Sequence, residues 1–89
     1  MKVAPHADDI RQLVLENFEA YGAKKRELGR VSDTFLIQDG RYYGRSYRTD
    51  RLMAMWLIDV GVLQFYGADG TMLRTINLLH EMPVLKAAA

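Results

Sequence analysis

The chain has 89 residues, 49% of them hydrophobic and 26% charged, with a net charge of +1 and no cysteine. That length suits one domain around one core, and the missing cysteine excludes disulfides and thiolate chemistry. No apolar run approaches the roughly 20 residues that span a bilayer, and Met1 to His6 lack the apolar stretch of a secretory signal, so no membrane association and a cytoplasmic location are expected.

A chain this short buries about 60–65% of its unfolded surface. A stability of roughly 5–10 kcal/mol is therefore expected, in which each core contact matters.

The first predicted element is an amphipathic helix over about residues 8–28. Ile10, Leu13, Val14, Phe18, Tyr21 and Leu28 recur at helical spacing and make one apolar stripe. Asp8 or Asp9 can cap its start. The basic run Lys24-Lys25-Arg26 suits its far end, and Gly29 offers a stop, with Gly22 an earlier alternative.

After Arg30 the apolar period becomes two. Asp39-Gly40 is the strongest hairpin signal, because a type I′ turn needs positive φ at both central residues. Asp69-Gly70 is the second signal and Val60-Gly61 the third. The strands fall at about 34–38, 41–48, 52–59, 62–66 and 71–78. The tail 79–89 is expected to be loosely ordered. The segment Tyr66-Gly67-Ala68-Asp69-Gly70-Thr71 resembles one hairpin unit of the tyrosine–aspartate repeat proteins, which implies a turn there and nothing further. The predicted fold is α+β, an N-terminal amphipathic helix packed on one face of a four- to five-stranded antiparallel β-meander, forming a single domain over 1–89.

Turn geometry decides which side chains share a face. A two-residue turn at Val60-Gly61 pairs Ile58 with Leu63 and Trp56 with Phe65. A three-residue loop at Thr49-Asp50-Arg51 sets Ser46 opposite Ala54 and Gly44 opposite Trp56; a two-residue loop inverts the faces. With three, one face holds Phe35, Ile37, Tyr42, Gly44, Ala54, Trp56, Ile58, Leu63, Phe65, Ile76 and Leu78, and the helix packs there. Arg74 shares this parity and is expected at the rim with its head group in water.

The second face then holds Tyr43, Arg45, Tyr47, Met53, Met55, Leu57 and Tyr66, among others. It is too apolar for a wetted surface, and one helix about 10 Å wide cannot cover even one face of a sheet about 20 Å wide. These seven residues are the candidate partner-binding site. The occupant is a second copy making a homodimer, another protein, or the tail through Leu79, Met82, Val84 and Leu85. The leading expectation is a small non-enzymatic protein-interaction or regulatory module that self-associates through this face.

The alternative rests on charge. Residues 24–51 hold eight of the twelve basic side chains against four acids. Within them Arg41, Tyr43, Arg45, Tyr47 and Arg48 interleave cations with rings, the composition of a single-stranded nucleic-acid surface. Against this stands a net charge far from that of a strongly basic binder. His6 with Asp8 and His80 with Glu81 do not have the spacing of a metal site, Ser32 and Ser46 sit in no nucleophile elbow, and no cofactor motif is present. No metal, cofactor or catalysis is expected.

Overall fold

The computed structural model describes residues 6–78. The chain is an α+β fold: α1 (Ala7–Ala20), a single turn α2 (Lys25–Leu28), then β1 (Ser32–Gln38), β2 (Arg41–Arg48), β3 (Met53–Leu57), β4 (Val62–Tyr66) and β5 (Met72–Asn77). The strands form one antiparallel sheet in the order β1-β2-β3-β4-β5. The expectations for the tail, including His80 and Glu81, lie outside the described residues.

The predicted 8–28 helix is two pieces. Gly22 adopts φ 100°, and the amides of Gly22 and Ala23 bond back to the carbonyls of Glu19 and Phe18. This paired capping satisfies the last carbonyls of α1 and ends it before the basic run. At the other end the cap is His6 rather than Asp8 or Asp9: its Nδ1 accepts the Asp8 amide at 3.3 Å. Both aspartates lie in the first turn, where the dipole favours them.

Ile10, Val14 and Phe18 of α1 are fully buried in one cluster with Tyr47, Ala54, Trp56, Leu63, Phe65 and Ile76 of the sheet. The Phe18 ring meets Phe65 edge-on at 5.9 Å. A polar tie joins the same elements. Asn17 donates to the Leu13 carbonyl at 2.8 Å and accepts from the Arg74 guanidinium at 2.8 Å. Arg74 stays exposed on the edge strand, as its rim placement implies, and one of its guanidinium nitrogens also reaches back to α1.

Two loop expectations need correction. The β2–β3 connection is a tight turn at Asp50-Arg51, with the Thr49 amide donating to the Leu52 carbonyl and Arg48 paired to Met53. Thr49 Oγ1 accepts the amides of Arg51 and Leu52, which caps the turn in this register. Tyr47 therefore faces Ala54, Arg45 faces Trp56, and Gly44 faces Leu57. The odd residues of β2 move to the helix side of the sheet. Between β3 and β4 the turn is instead longer than expected. Leu57 pairs with Val62, Trp56 with Leu63 and Ala54 with Phe65, and Gly61 closes it at φ 66°. That slip of two keeps every face assignment of those strands. Asp39-Gly40 is the expected type I′ turn, with φ 54° and 74°.

Gly44 has a tertiary reason to be glycine. A Cβ there would strike the carbonyl oxygen of Trp56. A bulge places Tyr43 as the extra residue of β2, between the Leu36–Gly44 and Ile37–Tyr42 pairs.

Candidate functional site

The register correction divides the seven expected partner-binding residues. Met53, Met55, Leu57 and Tyr66 share the second face and are half-buried. Tyr43, Arg45 and Tyr47 do not join them. Arg45 and Tyr47 pair with Trp56 and Ala54 of the helix side, and Tyr43 bonds through its carbonyl to the Ile58 amide.

Met53, Met55 and Tyr66 line a groove of about 540 Å³ together with Arg48, Leu52 and the Gly67–Gly70 turn. Tyr66 donates to Gln64 Oε1 at 3.0 Å across this face. Asp69 lies in the turn whose Gly67, Ala68 and Gly70 line this groove. It accepts the Thr71 amide at 3.0 Å, which holds its carboxyl below the usual carboxylate range.

The nucleic-acid set is dispersed as well. Tyr47 is fully buried and has no face to offer a base. Arg48 lies on the opposite face from Arg45, being paired with Met53. Arg41 and Tyr43 line a groove with the acids Asp39 and Asp59, which a phosphate chain would avoid.

Arg45 is committed within the protein. Its Nε donates to the Tyr42 hydroxyl at 3.0 Å, its guanidinium carbon lies 4.7 Å above the Phe35 ring centre, and it reaches Asp33 at 3.6 Å. The Tyr42 bond holds the guanidinium even more firmly protonated than usual. Phe35 and Tyr42 meet edge-on at 5.3 Å. The bulge at Tyr43 brings Tyr42 to the same face as Phe35.

This edge hairpin is the feature the sequence reading missed. Alternation and the expected turns place Phe35, Ile37 and Tyr42 in the core beneath the helix. They are on that face, but the buried cluster with α1 takes its sheet residues from β2 to β5 (Tyr47, Ala54, Trp56, Leu63, Phe65 and Ile76) and none from β1. They remain 57%, 63% and 43% exposed. The signal was present in the helix width and in β1's position at the end of a meander, which makes it an edge.

Among the described residues no three His, Cys, Asp or Glu side chains gather as a metal site, and no helix is long and apolar enough to cross a membrane. No family model matches the chain, and neither a curated protein nor a solved structure matches it.

Proposed function

We propose that this protein is a small interaction module, self-associating and without catalytic chemistry of its own, whose main contact surface is the edge hairpin β1–β2. The observation that carries this reading is the exposed apolar group of Phe35, Ile37 and Tyr42 on the part of the sheet that α1 does not reach. Contiguous exposed apolar surface with an aromatic and arginine content is the usual make-up of a protein contact. Arg45 stacks on Phe35 and bonds Tyr42, so both rings are held in place before any partner arrives. Ordering them in advance lowers the entropic cost of association.

A non-catalytic role agrees with how several polar groups are used. Asp33 neutralises Arg45, Asp69 closes a turn, and Glu27 accepts from the Lys24 amide and faces Arg51 at 3.6 Å. The groove beside Met53, Met55 and Tyr66 offers a second contact surface for an apolar side chain, at a volume ordinary for such sites.

Sedimentation equilibrium from micromolar to submillimolar protein tests the reading. The expected result is a mass that rises from monomer to dimer with concentration. Tyr42→Glu should weaken that association, whereas Met55→Glu on the opposite face should leave it intact. A monomer mass across the whole range would overturn the proposal.

A further inference from the structure

We infer that the partner of the edge hairpin is a second copy of the same chain, joined antiparallel strand to strand through β1 around a two-fold axis at Leu36. This rests on the self-association proposed above and specifies how it is made.

The two edges of the sheet differ. β5 is bulged at Leu73 and carries Arg74, features that discourage strand addition. β1 carries neither proline nor lysine, and the extra residue of its bulge sits in β2, so β1 itself runs regularly. Its one charge, Asp33, is already faced by Arg45. Among the described residues, no strand pairs with its outer edge.

The type I′ turn sets which backbone groups are open. Gln38 and Arg41 flank that turn and pair with each other. In a two-residue hairpin the flanking pair exchanges both its bonds, and the pattern then alternates along the strand. The amides and carbonyls of Ile37, Phe35 and Asp33 therefore point away from β2, toward the open edge.

The occupant follows from the strand's own pattern. Thr34-Phe35-Leu36-Ile37-Gln38 reads polar, apolar, apolar, apolar, polar and is symmetric about Leu36. Turning a second copy about that point sets Phe35 of each chain against Ile37 of the other. Both of those residues carry outward backbone groups, so each pair can exchange main-chain bonds. On the helix side, the two exposed apolar clusters merge into one. On the second face Leu36 meets Leu36 of the second copy. A two-fold operator perpendicular to the sheet maps each face onto itself and closes the assembly at a dimer. The product is one continuous sheet with no open β1 edge.

The chain is free of cysteine, which allows a direct test on the full-length protein. Leu36→Cys should form an intermolecular disulfide under mild oxidation, because the two thiols face each other across the axis. Ser32→Cys should not, because this register separates its two copies by several residues along the strands. Leu36 is half-buried, so a second variant guards against misfolding. Ile37→Lys lies at an exposed position, should keep the native circular dichroism spectrum, and should weaken dimerisation by roughly tenfold or more. A wild-type dimer that survives Ile37→Lys and gives no preferential Leu36→Cys cross-link would overturn the edge pairing while leaving self-association standing. A wild-type monomer at every concentration would overturn both.

Discussion

Tyr47 buries its whole side chain beneath α1, yet its hydroxyl has no hydrogen-bond partner among the described residues. An unmet buried hydroxyl opposes folding by about 1–3 kcal/mol. The ring supplies the opposing gain, since a buried aromatic removes some 150–250 Å² from water. Tyr47→Phe keeps that gain and removes the unmet group. It should be neutral or stabilising by about 1 kcal/mol, measured by urea denaturation. The same burial pushes the phenol above its ordinary range. The folded state thus holds this proton more tightly than the unfolded chain does. The stability linked to it is complete below the unfolded value of about 10 and falls as pH rises beyond that. In the wild type an ultraviolet titration should show a late-ionising tyrosine that is lost in Tyr47→Phe.

At the scale of elements, one hydroxyl has consequences across the sheet. Thr49 Oγ1 accepts two amides and centres the β2–β3 turn on Asp50-Arg51. Moving that turn by one residue would exchange the faces of β2 and take Tyr47 out of the core. By area alone that exchange costs on the order of 4 kcal/mol, more than the turn's own hydrogen bonds. The packed core therefore enforces the register, and the Thr49 cap cooperates with it. Thr49→Val should lose about 1 kcal/mol of stability while keeping the register. A two-dimensional NMR spectrum should retain the cross-strand contacts between Tyr47 and Ala54. Helix α1 shows the same division of labour. Its start, its stripe and the stop at Gly22 are local matters, whereas Asn17 at a buried position has its reason in Arg74 on the last strand.

At the scale of the whole molecule, the core is small and lies to one side. The ring of Phe65 meets both Phe18 of α1 and Tyr21 at its C-cap, at 5.9 and 6.1 Å. Phe65→Ala should cost about 3–5 kcal/mol, a large share of what a domain this small possesses. Thermal melting followed by circular dichroism should show a loss of most of the native transition. By contrast, Phe35→Ala on the uncovered edge should cost far less stability, because that ring is more than half exposed. Its effect should fall on association instead. Among the described residues, α1 leaves Phe35, Ile37 and Tyr42 of the sheet exposed.

Much of this was legible in the residues alone. The α+β class, the meander and the turns at Asp39-Gly40 and Asp69-Gly70 follow from local conformational preference, which each short segment carries with it. The core membership of Trp56, Leu63, Phe65 and Ile76 follows from alternation, which survives a register slip of two. Three things were settled only by the tertiary structure: the turn at Thr49, the bulge at Tyr43, and the packing of α1 in one buried cluster with residues of β2 to β5 while Phe35 and Ile37 of β1 stay exposed. Each compares global packings whose local energies are nearly equal, and the difference lies in how much of Tyr47, Phe35 and Ile37 the single helix can bury. Sequence pattern therefore placed the apolar residues on faces, and only the folded chain decided which of them the helix leaves uncovered.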